Sequence, residues 1–323
     1  MAITTVRGSI PTSQARYTLS HEHLLCDLWS LVRSYDSILD DESLAIRELA
    51  DYRDAGGCSL VDATSCGLGR NPRALRRISE ATGVHIVMGS GWYRECAYPP
   101  LVFERDANAL ADLIVEEITV GADGTDIRAG IIGEIGTERH NISPAQERVF
   151  RASARAQRRT GACVMTHTTH FGELALEQIA LLREEGVPPD RIVISHLGDR
   201  HDTTGLLKIA QQGVFISVDN IGYVGQGYAT DDARARNVCF LVAEGYLNQI
   251  VLSGDVCQKT HLTTYGGKGY AHVLRRFLPL LRANGLSEET IHQITVRNPA
   301  CMLDLAEDSR QPSEGLEVAR ERR

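Results

Sequence analysis

Short apolar runs separated by helix-length stretches recur eight times along the chain, and no other feature narrows its fold as much. The runs are RYTLSHEH (16–23), CSLVDAT (58–64), HIVMGS (85–90), AGIIGEIG (129–136), ACVMTHTT (162–169), RIVISHLG (191–198), GVFISVD (213–219) and QIVLSGD (249–255). Between them, DESLAIRELADYRDAG, SPAQERVFRASARAQRRTG and FGELALEQIALLREEG space their apolar residues at three and four and end on Gly, as amphipathic helices do. Strand then helix, repeated, predicts a parallel sheet, because parallel neighbours need a crossover long enough to hold a helix. Eight such units in 323 residues make up a (β/α)8 barrel, and near-continuous apolar strands suit a sheet covered on both faces. A doubly wound open sheet would carry a Gly-rich phosphate turn after its first strand, and SHEHLLCDL stands there instead. The expectation is an α/β fold, a (β/α)8 TIM barrel, in one domain over residues 1–305. A charged, frayed tail is expected at 306–323.

Charge and cysteine usage narrow the partners. Asp and Glu number 42 against 34 Lys and Arg, a net charge of -8, which argues against a nucleic-acid partner. No apolar run approaches the ~20 residues a membrane span needs, and the first twenty residues lack the apolar core of a secretory signal, so a cytoplasmic protein is expected. Eight cysteines are scattered without a CxxC pair, which reads as reduced thiols.

A barrel builds its active site at the C-terminal ends of its strands. His21 and His23, two apart at the end of the first run, point to one face, while Glu22 points away. Alone, that pair fits either metal ligation or a hydrogen-bonded structural role. Glu134 interrupts an apolar fourth run, where a carboxylate costs several kcal/mol unless paired, neutralised or bound to metal. The fifth run ends in His167, the sixth in Ser195 and His196, and the eighth in Asp255. Four histidines and two carboxylates at one mouth suit two borderline divalent cations such as zinc. Glu134 could reach one cation with each oxygen, the ions lying roughly 3.5 to 4 Å apart with a hydroxide between them.

The wording SHEHLLCDL, GEIGT, VMTHTTHFG, VISHLGDR, LSGDVCQKTHLTTYGGKGY and TVRNPACML, spread from residue 20 to 303, resembles the phosphotriesterase family of the amidohydrolase superfamily. The resemblance implies His21, His23 and Asp255 on the more buried metal, His167 and His196 on the more exposed one, and Glu134 bridging. It also implies a homodimer. Many members bridge with a carboxylated lysine on the fourth strand. Here position 134 is Glu, and the three lysines, Lys208, Lys259 and Lys268, fall elsewhere. The chain is thus similar to the Glu-bridged branch that includes phosphotriesterase homology proteins, and organophosphate hydrolysis is expected only as a weak side activity.

The expected chemistry is attack of a bridging hydroxide, its pKa lowered from 15.7 toward ~7, on a lactone or related carboxylic ester. Asp255 is the catalytic residue, carrying the proton to the leaving group. An amidase for a small N-acylated acid is the alternative, and an inactive barrel serving as a binding protein is the alternative of another class. Tyr93 is read as a hydrogen-bond donor to the small-molecule substrate, or as a packed loop aromatic. Arg94, Arg139, Arg200 and Lys259 follow strand ends and hint at an anionic substrate, with ordinary ion pairing, for instance Arg200 with Asp199 or Asp202, as the other reading. His170, His201 and His261 lie near the ligand positions and are given supporting or solvent roles. TYGGKGYAH fails the phosphate-loop patterns and is read as a mobile loop over the site, anchored by Tyr265 and Tyr270.

Overall fold

The computed structural model describes residues 1–305 except residues 170 and 226, so the tail and His170 lie outside the described residues. Eight parallel strands form in the eight expected places: β1 (Thr18–Glu22), β2 (Ser59–Asp62), β3 (His85–Ser90), β4 (Ile131–Gly136), β5 (Val164–His167), β6 (Ile192–Ile194), β7 (Phe215–Val218) and β8 (Ile250–Leu252). They pair in sequence order from β1 to β8, and helices fill the intervals. The three helices expected from periodicity are present as Glu42–Asp54, Pro144–Thr160 and Ala175–Glu184. The second shows why its ends fall where they do. Ser143 and Gln146 form a reciprocal capping box, Pro144 occupies the first turn, and Gly161 takes the left-handed conformation that closes the helix.

Alternation along the strands divides the core in two. Leu60, Ile86, Ile132, Val164, Ile194, Ile216 and Ile250 pack outward against helix residues such as Leu49, Ile78 and Val149. Val61, Val87, Ile131, Met165, Val193, Phe215 and Val251 point into the barrel. There they meet Ile3 from an N-terminal hairpin (Ala2–Thr5 and Gly8–Pro11) and Met302 and Leu303 from the last helix. Each such side chain contributes roughly 1.5–3 kcal/mol by leaving water, so the lower barrel is sealed with hydrocarbon and only the upper end is free for polar chemistry.

Two strands break strict alternation, and both breaks lie under the candidate site. The register of β4 against β5 shifts between Ile132 and Ile135, so both isoleucines join the outer core although they stand three positions apart. Gly133 makes room for this. Its φ is 127°, and a Cβ there would stand 2.3 Å from the Met165 carbonyl oxygen. The extra residue turns Glu134 into the barrel, where strict alternation would place it with Ile132. A similar shift lies between Leu19 and Glu22 on β1.

The barrel closes between β8 and β1 without a regular ladder. Ser20 Oγ donates to the Leu252 carbonyl at 3.1 Å, and the His21 N–H donates to Ser253 Oγ at 2.9 Å. The Asp255 and His23 N–H groups reach the carbonyls of His21 and Val256. Glu22, fully buried, accepts from Ser253 Oγ at 2.7 Å, the Gly254 N–H at 2.6 Å and the Val256 N–H at 2.8 Å. Burial pushes its carboxyl up to about 7 against the pull of those donors. All eight cysteines are free thiols, as expected, and among the described residues no helix is long and apolar enough to cross a membrane.

Replacing Glu22 with Ala would strand three buried donors. We expect a loss of about 2–4 kcal/mol, read in urea as a lower midpoint with an unchanged slope.

Candidate metal centre

The six side chains singled out in the sequence meet at the upper end of the barrel. Glu134 lies at the centre: Oε1 is 3.4 Å from His23 Nε2, and Oε2 is 3.4 Å from His21 Nε2, 3.2 Å from His167 Nδ1 and 3.8 Å from His196 Nε2. Asp255 Oδ1 stands 3.6 Å from His21 Nε2 and 3.4 Å from His23 Nε2. Two sets of donors lie close enough to share an ion, His21–His23–Asp255 and His21–Glu134–His196, with all their ligand atoms within 4.8 Å of one another. His167 joins the second set through its Nδ1, 2.8 Å from His196 Nε2.

The donor set fits divalent cations. His21 Nε2 is buried without a hydrogen-bond partner, an arrangement that costs free energy unless something binds there. The charges of the cluster point the same way. Burial opposes charge on His21 and His23, yet Glu134 and Asp255 overcome it, raising His21 above the usual imidazole range and His23 to about 10. On His196 burial is overcome by Asp219, which holds the ring well above its usual value, while burial and the neighbouring His196 push His167 down to about 4. Burial alone would raise Glu134, but His21 and the other imidazoles hold it well below the usual carboxylate range. Glu134, Asp255 and Asp219 thus favour positive charge at His21, His23 and His196, the charge that bound cations would supply.

An outer layer fixes the direction of the rings. His21 Nδ1 meets Ser195 Oγ at 3.1 Å, His23 Nδ1 meets Thr64 Oγ1 at 2.9 Å, and His196 Nδ1 meets Asp219 Oδ1 at 2.9 Å. In all three the Nε2 atom is left facing the centre. Asp219 also accepts the His196 N–H at 3.0 Å and lies 3.6 Å from His21 Nδ1, so one buried carboxylate steadies two rings. Sequence reasoning passed over Asp219, although a carboxylate closing the apolar run GVFISVD is the same signal that drew attention to Glu134. The φ angles of His196 and Asp255 are 64° and 51°, left-handed values that non-glycine residues rarely adopt and that cluster at functional sites.

The expected substrate contacts divide. The Tyr93 hydroxyl sits 3.0 and 3.1 Å from the two ring nitrogens of His167, against the site but engaged with a ligand ring. Arg94 pairs with Glu138, Arg139 with Glu173 at 3.1 Å, and Arg200 with Asp202 at 3.5 Å, while Asp199 belongs to Arg234. Lys259 stands 4.0 Å from Asp40, and both line a cavity of about 250 Å³ together with Asp41, Leu24, Leu44 and Tyr270. Each of these cations has a carboxylate partner, which is the ion-pairing reading of the sequence. His201 is exposed, and His261 stacks on Tyr223 at 4.0 Å. The Gly-rich loop is anchored by Tyr270, buried with its hydroxyl on the His23 carbonyl at 2.8 Å, whereas Tyr265 is 53% exposed and anchors nothing by burial.

Comparison with known proteins agrees with this architecture. The chain is 35% identical to the phosphotriesterase homology protein of Escherichia coli strain K12 over 88% of this chain and 96% of that one. It is 34% identical to an N-acetyltaurine hydrolase of Tetraodon nigroviridis over 92% and 96% of the two chains. Among solved structures, a resiniferatoxin-binding protein from Rhodobacter sphaeroides superposes with a TM-score of 0.89 at 38% identity, covering 97% of this chain and 96% of that one. A lactonase from Listeria monocytogenes gives 0.89 at 30% identity, covering 95% and 100%. The phosphotriesterase family itself matches residues 1–303. With an eight-stranded barrel, a ligand cluster at its upper end and a match that long, the chain belongs to the phosphotriesterase family of hydrolases.

Proposed function

We propose that the chain is a binuclear metal-dependent hydrolase of lactones or related carboxylic esters. One observation carries the reading: His21, His23, His167, His196 and Asp255 converge with Glu134 at one mouth, and the buried His21 Nε2 there has no hydrogen-bond partner. His21, His23 and Asp255 would hold one ion, His167 and His196 the other, and Glu134 both. The mix of imidazole nitrogen and carboxylate oxygen suits zinc. Two such cations would lower the pKa of a shared water from 15.7 toward ~7 and polarise an acyl oxygen.

The protein's own groups divide the remaining work. Of the two carboxylates, Asp255 is the more open, its side chain 12% exposed against 4% for Glu134, so it is the one placed to carry a proton to a leaving group. Asp219 and Ser195 keep His21 and His196 from rotating away. The Tyr93 hydroxyl steadies His167. Beyond the ligands, Tyr228 packs against Phe171 and Tyr223 at 5.6 and 5.0 Å between ring centres, an aromatic wall on the loops after β5 and β7. That wall, together with cations already matched by carboxylates, favours an uncharged substrate carrying an apolar substituent. The N-acetyltaurine hydrolase relatives support a second reading, cleavage of an N-acyl amide in a small acid.

Parallel assays against alkyl-substituted lactones, N-acetyltaurine and an aryl phosphotriester separate these readings. Highest kcat/KM is expected for the lactones, and turnover of the amide alone would replace the first reading with the second. No turnover, together with the absence of bound divalent metal, would leave a binding protein.

Asp255→Asn should lower kcat by roughly 100- to 10,000-fold, the usual range for a lost general acid–base group, while metal content falls far less. Unchanged turnover would remove Asp255 from the chemistry.

Asp219→Asn leaves all six ligands in place but loosens two of them. Metal affinity should fall about 10- to 100-fold, measured by chelator competition from a starting content of about two ions per chain.

A further inference from the structure

We infer that Tyr223 is a positioning residue, whose hydroxyl fixes the Asp255 carboxylate by holding the Asp255 backbone in its left-handed conformation. This rests on the reading of Asp255 as the proton carrier. A φ of 51° is unfavourable for an aspartate, so the surrounding structure must impose it. Two contacts do so. The Asp255 N–H is tied to the His21 carbonyl at 3.1 Å, and the Asp255 carbonyl accepts a hydrogen bond from the Tyr223 hydroxyl. With both peptide groups pinned, the carboxylate is held facing His21 and His23.

Tyr223 is itself held on every side. Its ring lies between Tyr228 and His261, with centres 5.0 and 4.0 Å away. Its N–H donates to the Asn220 carbonyl at 2.9 Å, and its carbonyl accepts from Arg234 Nη1 at 3.2 Å. Arg234 is completely buried and braced by Asp199 at 2.7 Å and Asp231 at 2.7 Å, and Asn220 Nδ2 donates to Asp199 at 2.8 Å. The loop that bears the aromatic wall is thereby locked to the residue that moves the proton. A tyrosine serving only as packing would need no hydroxyl at this point. Here the hydroxyl reaches one backbone carbonyl, with Cys257 Sγ 3.2 Å away as its second neighbour.

Tyr223→Phe removes the hydroxyl and keeps the ring stack. We expect kcat to fall about 10- to 100-fold, the scale of an ångström-sized misplacement, with KM within twofold and the melting temperature little changed. The visible absorption of the cobalt(II)-substituted protein should shift, because Asp255 faces the ligand cluster. Cys257→Ala, which removes only the second neighbour, should leave kcat and the cobalt spectrum as they are. If Asp255→Asn abolishes turnover while Tyr223→Phe keeps full kcat and an unshifted spectrum, the inference is overturned and the role of Asp255 stands. A parallel loss of kcat, KM and melting temperature in Tyr223→Phe would also overturn it, since that is the signature of packing alone. Should Asp255→Asn retain turnover, the proton-carrying reading fails, and an unshifted cobalt spectrum in Tyr223→Phe then overturns the positional claim by itself.

Discussion

Glu134 stands within 3.2–3.8 Å of imidazole nitrogens from β1, β5 and the end of β6, and a buried carboxylate so surrounded sets the charge balance of the whole mouth. It cannot stay ionised there without positive partners, and the imidazoles cannot gather there without a negative one. Positive charge at the imidazole positions, from protons or from bound cations, meets both requirements. Ring orientation follows from the same constraint. Three histidines turn Nε2 inward because Ser195, Thr64 and Asp219 occupy their Nδ1 atoms. His167 turns Nδ1 inward instead.

Much of this was legible in the sequence, for a specific reason. Apolar runs of strand length alternating with amphipathic helices are a global pattern, so all eight strands could be placed without any contact information. The ligand positions were legible because polar residues ending apolar strands are costly and therefore stand out. The inward turn of Glu134 was not, since simple alternation groups it with Ile132 on the helix side. The register shift that reverses this depends on Gly133 lying against the Met165 carbonyl of the neighbouring strand. Asp219 carried the same signal, a carboxylate closing an apolar run, but its role in steadying His21 and His196 comes into view only in three dimensions. The rim arginines show the opposite failure. Arg94 and Arg200 lie where the sequence placed them, but their carboxylate partners, Glu138 and Asp202, come into view only in three dimensions.

The barrel separates stability from chemistry along its own axis. Its lower half is closed by Ile3, Met302 and Leu303, an apolar plug drawn from both ends of the described chain. Its upper half carries the ligands, the left-handed backbone at His196 and Asp255, and the buried Arg234 network. Strain at the top is tolerable because packing below is undemanding and continuous. Glu134 itself reaches the axis through the register shift beside Gly133.

Among the described residues, the first and last strands meet without a backbone ladder between them. His21 and His23 stand on one lip of that join and Asp255 on the other. An ion gripped by these three would act as a rivet through both edges, so the inorganic component of this protein would be a fastener as well as a reagent, and stripping it would slacken the staves at their weakest point.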